Sequence, residues 1–337
     1  MKAATAPTLE LVCPAGSPAM LKAAVEAGAD SVYCGFRDET NARNFPGLNF
    51  SPEELRAATD WAHERGARVL LALNTFARAD ATDLWRASAD AAAMAGVDAV
   101  IAADLAVLSH MHSHHPDTRL HLSVQAAAGT PEAIAFYARE YGVKRVVLPR
   151  VLSVEEIKAL SRDITVETEA FVYGGLCVMA EGRCALSSYA SGRSPNLSGV
   201  CSPPEAVSFS EADGERTTRL SGFAIDRLPA GEAGGYPTLC KGRFRGGKSN
   251  EVDYLFEDPV SLNAMSLLAG LAGAGVTAVK IEGRQRGRTY VARVTAAFRA
   301  AIDALRRGES AAPYESLLSD LAEGARETTG AYRKRWR

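Results

Sequence analysis

Several features that mark particular classes of protein are missing from this chain of 337 residues. No apolar run approaches the roughly 20 residues that cross a bilayer, so the sequence predicts no membrane-spanning helix. The formal net charge of −2 gives no electrostatic reason to expect a nucleic-acid partner. The H-E-x-x-H and G-x-S-x-G motifs are absent, which leaves ordinary metalloprotease and hydrolase mechanisms without support.

The beginning of the chain lacks the marks of a secretion signal. Residues 1–8 contain one lysine and no apolar stretch, and we expect them to form a short disordered tail. We therefore expect a cytoplasmic protein in a reducing environment, where thiols stay available to metals and do not form disulfides. A hydrophobic content of 47% is ordinary for a globular protein and is sufficient for a full core.

One local pattern recurs along the chain: a helix ends, a glycine follows, and an apolar strand begins. The glycines of this pattern are Gly28, Gly66, Gly96, Gly142 and Gly275. Glycine suits a left-handed helix C-cap, from which the chain turns sharply into the next strand. Strands are predicted near residues 9–13, 30–34, 68–73, 98–102, 120–124, 144–148, 164–172 and 277–282. Their alternation with helices predicts a (β/α)8 TIM-like barrel, with an open doubly wound sheet as the alternative.

The repeat is interrupted between Gly174 and Gly275, where Ser, Pro, Gly and Arg are frequent. We interpret this stretch as an insertion after the seventh strand, on the face where barrel enzymes place their chemistry. Its one plausible helix is predicted near residues 259–273. The predicted organisation is a tail over 1–8, a barrel over 9–173 and 275–310, an inserted region over 174–274 and a C-terminal segment over 311–337.

Four of the six cysteines lie in the insertion, with the spacing C-x6-C-x16-C-x38-C. These residues are Cys177, Cys184, Cys201 and Cys240. Thiolates are the ligands that zinc and iron–sulfur centres need, although the C-x2-C pairs of common zinc ribbons are absent. The spacing alone leaves zinc, an iron–sulfur cluster and buried structural cysteines as alternatives. Cys13 and Cys34 end predicted strands and are expected in the core.

Polar residues gather at the ends of the predicted strands. Lys280, Glu282 and Arg284 share one face of the eighth strand, because side chains two apart point the same way. Glu169 lies on the seventh strand and Arg150 follows the sixth. These side chains predict a polar barrel mouth that binds an anionic or hydroxylated small molecule. The alternative is an internal network of ion pairs that seals the barrel.

Two further patterns have less support as functional sites. Residues 242–249 match the P-loop expression G-x4-G-K-S, but the residues that follow do not favour the helix that a phosphate site needs. A solvated basic hairpin is predicted there. His110, His112, His114 and His115 form a histidine-rich patch, which we expect to be a solvated helix end, with a metal site as the alternative.

A family likeness is carried by residues 11–16, 32–35, 41–43, 47–50, 123–126, 147–150, 175–179, 181–184, 199–203, 236–243 and 279–286. It runs from about Leu9 to Trp336. In these segments the chain resembles the peptidase U32 family, and within it the UbiU branch of ubiquinone biosynthesis.

The resemblance implies that Cys177, Cys184, Cys201 and Cys240 bind a [4Fe–4S] cluster. It also implies a heterodimer with the related protein UbiV. The two proteins together would carry out oxygen-independent hydroxylation in anaerobic ubiquinone biosynthesis. Prephenate is the implied oxygen donor, a prenylated phenol is the implied substrate, and a lipid-carrying protein would help to deliver it.

The catalytic candidates are the strand-end residues Glu169, Lys280, Glu282 and Arg284. Together with Arg150, the cations of this group would hold a dicarboxylate donor, since paired cations bind carboxylates well. Three alternatives stay open: an RNA hydroxylation protein of the same family, a peptidase, and a structural metal domain that supports UbiV.

Overall fold

The computed structural model of the protein describes residues 9–177, 184–232, 235–245, 252–322 and 326–334. Its strands are β1 Glu10–Pro14, β2 Ser31–Cys34, β3 Arg68–Leu73, β4 Ala99–Ala102, β5 Arg119–Leu122, β6 Arg145–Val147, β7 Glu167–Gly175, β8 Val207–Ala212, β9 Glu215–Leu220, β10 Phe223–Pro229, β11 Arg243–Arg245, β12 Val252–Tyr254, β13 Ser261–Asn263, β14 Ala278–Ile281 and β15 Glu327–Thr328. Its helices are α1 Pro18–Glu26, α2 Pro52–His63, α3 Thr82–Met94, α4 Leu105–His114, α5 Pro131–Tyr141, α6 Val154–Leu160, α7 Ala185–Ser191, α8 Pro195–Ser198, α9 Leu268–Gly273 and α10 Arg288–Arg306. The predicted tail over residues 1–8 lies outside the described residues.

Strands β1 to β7 and β14 form a closed parallel barrel. Each strand from β1 to β6 pairs in parallel with the next, and β14 closes the ring because it pairs in parallel with both β1 and β7. Helices cover the outside of this ring between successive strands. The predicted (β/α)8 TIM-like barrel with a cysteine-bearing insertion after the seventh strand is confirmed.

The helices begin where the sequence supplies N-terminal caps. Ser51 caps α2, and Glu54 completes a capping box by accepting a hydrogen bond from the backbone of Ser51. Ser153 and Glu156 form the same arrangement at α6. Because these caps satisfy backbone N–H groups that have no partner inside the helix, they fix where each helix starts.

The main core lies between the barrel and its helices. Trp85 of α3 and Phe298 of α10 are almost fully buried there, together with apolar residues from every strand of the barrel. Cys13 and Cys34 are also fully buried, as predicted. Burial of this continuous apolar surface is the main force that holds the helices on the barrel.

The insertion has a small core of its own. Strands β8, β9 and β10 form an antiparallel sheet, and Ala190, Leu220 and Ile225 make a separate buried cluster beside it. Strands β11 and β12 pair as an antiparallel hairpin, which agrees with the prediction for the P-loop-like segment. Residues 246–251 of that segment lie outside the described residues.

The predicted helix near residues 259–273 is shorter in the structure than expected. Strand β13 occupies residues 261–263 and pairs antiparallel with the end of β7, and α9 begins only at Leu268. The end of β7 extends past the barrel edge, so its backbone groups take β13 as a partner. Leu268 and Leu271 of α9 then return to the main core.

Within the described residues, no helix has both the length and the apolar character needed to cross a membrane.

Gly174, near the end of β7, provides a test of how tightly β7 and the residue after β14 approach each other. It has a φ of 115°, and a Cβ there would lie 2.7 Å from the backbone oxygen of Glu282. Gly192, the control, has a φ of 72° and nothing within 4 Å of its added Cβ.

We expect Gly192→Ala to lower the free energy of unfolding by about 1–2 kcal/mol, because alanine is disfavoured in a left-handed backbone conformation. Gly174→Ala should lower it by roughly 1–3 kcal/mol more, because its Cβ overlaps the backbone of Glu282. Urea denaturation measures both values, and equal losses would contradict this close approach.

Candidate functional site

The four cysteines of the insertion lie on separate segments that return to the end of β7. Cys177 follows β7, and Cys184 is the N-cap residue of α7. Cys201 follows α8, and Cys240 lies in a 3-10 turn over Leu239–Lys241. Helix α7 packs against this turn, which brings the segments of Cys184 and Cys240 together. The sequence spacing could not show this, since the segments are far apart in the chain.

The thiols lie near enough to one another to affect each other's ionisation. Burial raises the pKa of the Cys201 thiol and raises that of Cys240 to about 11. A thiolate at Cys184 would raise the pKa of Cys201 further, and thiolates at Cys177 and Cys201 would do the same to Cys240. A metal centre that takes these thiols as ligands must therefore displace their protons when it binds.

The chemistry of the thiols bears on which metal group fits them. Four cysteine thiolates can bind a single zinc ion, or they can give one ligand to each iron of a [4Fe–4S] cluster. Among the described residues, no three of these sulfurs lie within 4.8 Å of one another, so a single zinc ion would draw the thiols closer together. The donor set therefore fits a thiolate-bound metal centre of either kind.

Arg43 and Glu282 connect the cysteines to the barrel mouth. Arg43 Nε lies 3.6 Å from Glu282 Oε1, and Glu282 Oε2 accepts a hydrogen bond of 3.4 Å from the backbone N–H of Gly175. Burial works to lower the pKa of Arg43, but the Glu282 carboxylate, helped by Cys201 and Cys177, raises it. The Arg43 guanidinium therefore stays charged between a carboxylate and the thiols.

Arg284 is a buried cation at the same end of the barrel. Arg284 is only 4% exposed, and its Nη1 donates a 3.2 Å hydrogen bond to Asn41 Oδ1. Its guanidinium lies over the Tyr33 ring, 5.5 Å from the ring centre. Burial lowers the pKa of Arg284 to about 10, which still leaves the group charged at neutral pH. A buried cation with a neutral amide as its hydrogen-bond acceptor has capacity to bind an anion.

Arg150 adds a third guanidinium near the end of β7. It stacks 4.1 Å from the centre of the Phe171 ring, and its Nη1 donates to the Gly175 oxygen at 3.4 Å. Gly175 therefore contacts Arg150 through its oxygen and Glu282 through its N–H. The candidate mouth cations are thus tied to the strand that leads into Cys177.

Glu169 and Lys280 lie deeper in the barrel than the other two catalytic candidates. Lys280 Nζ is 2.6 Å from Glu169 Oε1, and Arg145 Nη1 is 3.2 Å from Glu169 Oε2. Arg145 also pairs with Glu10 and Glu167. These charges neutralise one another inside the barrel, as the ion-pair alternative predicts. A direct catalytic role for Glu169 and Lys280 stays a prediction.

Arg43, Asn41 and Tyr33 are site residues that the sequence reasoning did not select. All three lie on β2 or in the loop that follows it, at the C-terminal end of that strand. Tyr33 donates a 2.9 Å hydrogen bond to the Ile281 oxygen, so β2 and β14 meet across the barrel interior. Their position directly after a predicted barrel strand could have identified them, because the loops after barrel strands carry functional side chains.

Comparison with known proteins gives a consistent family assignment. The sequence profile of peptidase family U32 matches residues 16–334. A tRNA hydroxylation protein P1 of Bacillus subtilis is 29% identical over 88% of this chain and 63% of that protein. A collagenase of Porphyromonas gingivalis is 30% identical over 89% of this chain and 66% of that protein. A 23S rRNA 5-hydroxycytidine C2501 synthase of Escherichia coli is 29% identical over 88% of this chain and 40% of that protein. The chain thus spans at most about two-thirds of each of these relatives.

The Glu169–Lys280 pair can be tested as a structural element. Glu169→Gln leaves the buried Lys280 cation without its carboxylate, and we expect a loss of roughly 3–5 kcal/mol in the free energy of unfolding at neutral pH. Burial lowers the pKa of Lys280, so the penalty is full below that folded-state pKa and is relieved as the pH rises through it. Denaturation at neutral and alkaline pH should therefore show a smaller loss at alkaline pH.

Glu167→Gln is the matched control for this experiment. The Glu167 side chain is 37% exposed, and its partner Arg145 keeps its ion pair with Glu10. Because the Glu167 carboxylate reaches solvent and Arg145 keeps the carboxylates of Glu10 and Glu169, we expect a loss below about 1 kcal/mol. Equal losses in the free energy of unfolding for Glu167→Gln and Glu169→Gln would contradict a stabilising role for the buried Glu169–Lys280 pair.

Proposed function

This chain belongs to peptidase family U32, and we propose that it is the iron–sulfur component of an oxygen-independent hydroxylase. The observation that carries the proposal is that the segments of Cys177, Cys184, Cys201 and Cys240 come together at the C-terminal end of the barrel, where α7 packs against the turn of Cys240. The names of its hydroxylating relatives support the reaction class. A cytoplasmic location belongs to the same proposal, because thiol ligands persist in a reducing compartment.

The four cysteines would each hold one iron of a [4Fe–4S] cluster, which would supply electron transfer. With four thiolate ligands, the protein offers one ligand to every iron. Arg43 lies between these thiols and Glu282, so its charge partly offsets the negative charge of the ligand set. Glu282 holds Arg43 in that position through their ion pair.

The cations of the barrel mouth support a dicarboxylate as the second reactant. Arg284, Arg43 and Arg150 present guanidinium groups around the ends of β7 and β14, and guanidinium binds carboxylate through paired hydrogen bonds. Prephenate, the oxygen donor that the family resemblance implies, carries two carboxylates. In this proposal Arg284, held by Asn41, binds one carboxylate, and Glu282 keeps Arg43 oriented toward the same space.

For the acceptor of the hydroxyl group we propose a prenylated phenol of ubiquinone biosynthesis, with a UbiV-like protein as the partner subunit. The resemblance to the UbiU branch supports this choice. The near-neutral chain, with a net charge of −2, also lacks the excess of basic residues that RNA binding usually requires. A lipid-carrying protein would deliver the substrate, because a prenylated phenol is sparingly soluble in water.

RNA is the second candidate substrate. Relatives named as a tRNA hydroxylation protein and as a 23S rRNA hydroxycytidine synthase favour it. In both cases the reaction adds a hydroxyl group to an aromatic ring. The same proposed cluster would therefore serve either substrate, and the two proposals differ only in which molecule binds beside it. A relative named as a collagenase leaves peptide hydrolysis as a further activity to assay.

The cluster assignment is tested by metal analysis of anaerobically purified protein. We expect about four irons and four sulfides per chain. Replacing Cys177, Cys184, Cys201 or Cys240 with Ala should lower the iron content markedly, because each change removes a ligand. Cys34→Ala is the control: Cys34 is a fully buried core residue, so its loss should leave iron binding intact. Stoichiometric zinc without iron would contradict the cluster and support a structural metal domain.

The substrate assignment is tested in cells grown without oxygen. Deleting the gene should abolish anaerobic ubiquinone synthesis. Complementation with Arg284→Ala or Glu282→Gln should give about tenfold less ubiquinone than complementation with the unaltered gene, since each change removes a charged hydrogen-bonding group. Arg306→Ala, an exchange on the outer helix α10, is the control and should restore synthesis fully. Normal ubiquinone with lost RNA hydroxycytidine in the deletion strain would instead support the RNA substrate.

A further inference from the structure

Three metal-ligating side chains converge on the outer helices of the barrel, away from the cysteines. Asp90 lies on α3, His110 lies on α4, and His115 is the residue that ends α4. Asp90 Oδ1 is 2.6 Å from His110 Nε2 and 2.7 Å from His115 Nε2. One ligand atom from each residue lies within 4.8 Å of the other two. We propose that Asp90, His110 and His115 form a binding site for a divalent transition-metal ion such as zinc.

The two helices hold these ligands in fixed positions. Helices α3 and α4 pack against each other, and residues such as Trp85 and Leu108 anchor them in the main core. The His114 ring stacks on the His110 ring with 4.4 Å between centres, and His114 Nδ1 lies 3.1 Å from the His110 backbone oxygen. Such neighbours limit the orientation of a ligating imidazole, as surrounding groups do in established metal sites.

The ligand set selects a chemical class of ion. Imidazole nitrogen and carboxylate oxygen together suit zinc and its neighbours among the first-row metals, whereas calcium and magnesium prefer oxygen alone. Three protein ligands leave a coordination position for water. The Asp90 side chain is 45% exposed, so water and ions reach the cluster from outside.

The two separations between Asp90 and the imidazoles need little adjustment to accept an ion. Tetrahedral coordination with bonds of about 2.0–2.1 Å places neighbouring ligand atoms roughly 3.3 Å apart. The two present separations, 2.6 and 2.7 Å, would therefore lengthen by less than an ångström. The ion would replace two hydrogen bonds to a single carboxylate oxygen and would join α3 to the end of α4.

The site is separate from the proposed cluster. The end of α4 leads into the start of β5, so His115 lies toward the N-terminal ends of the barrel strands. The cysteines follow the C-terminal end of β7, on the opposite face. A metal at Asp90, His110 and His115 would therefore stabilise the packing of two helices and would not depend on the proposed hydroxylation.

Cobalt(II) is the probe that distinguishes this site from the thiols. Full-length, anaerobically isolated protein is treated with chelator and titrated with Co²⁺, and binding is followed by visible absorption and calorimetry. We expect one Co²⁺ per chain without the strong absorption of a thiolate ligand, and a higher thermal unfolding midpoint when the ion is bound. Asp90→Asn and His110→Ala should each weaken binding by at least about tenfold, since even second-shell changes cost that much.

His112→Ala is the matched control, because it removes an imidazole from the same helix without removing a ligand. It should bind Co²⁺ as the unaltered protein does. Each variant is also melted without metal, so a folding defect is separated from a lost ligand. Equal Co²⁺ affinity in the unaltered protein, Asp90→Asn and His110→Ala would overturn the proposal. So would thiolate absorption from the bound cobalt, or no binding at all.

Discussion

The closure of the barrel through β14 is the constraint on which the candidate site depends. This strand, Ala278–Ile281, pairs with β1 on one side and β7 on the other. Its pairing fixes Lys280 inside the barrel beside Glu169, and it brings the next residues, Glu282 and Arg284, to the end from which the insertion departs. Because β7 leads into Cys177, a single pair of strands positions the buried ions, the mouth cations and the first thiol.

The charged side chains in the barrel interior are paired differently from those at the barrel mouth. In the interior, Arg145 and Lys280 are matched by carboxylates, so the charges satisfy one another and serve packing. At the mouth, Arg284 donates its hydrogen bond to an amide, and burial lowers its pKa although the charge of Glu282 acts in the opposite direction, so its cation is less fully compensated. Desolvated charge without a matching partner is costly for stability, and such costs concentrate at functional sites.

The sequence was sufficient for the barrel because its signals are local. The glycine that ends each helix, caps such as Ser51 and Ser153, and short apolar strands each depend on a few neighbouring residues. The failure at residues 259–273 has a different cause: β13 forms because the end of β7 needs a partner, which is a long-range requirement. Local patterns do not report such requirements.

The candidate site was only partly predictable for the same reason. Cysteine content led to the proposed ligand set, and alternation from Lys280 onward identified Glu282 and Arg284 as neighbours. Arg43 was missed because its importance comes from Glu282, which is remote in sequence. The convergence of Asp90 with His110 and His115 likewise depends on how α3 and α4 pack.

The small apolar cluster of the insertion has a consequence for how this region acquires its shape. Ala190, Leu220 and Ile225 bury far less surface than the main core, and modules with little hydrophobic surface usually need another source of stability. Ligation by thiols on Cys184, Cys201 and Cys240 would supply it. Maturation of the inorganic centre and ordering of the polypeptide would then be one coupled event, and the barrel would fold first as the platform for both.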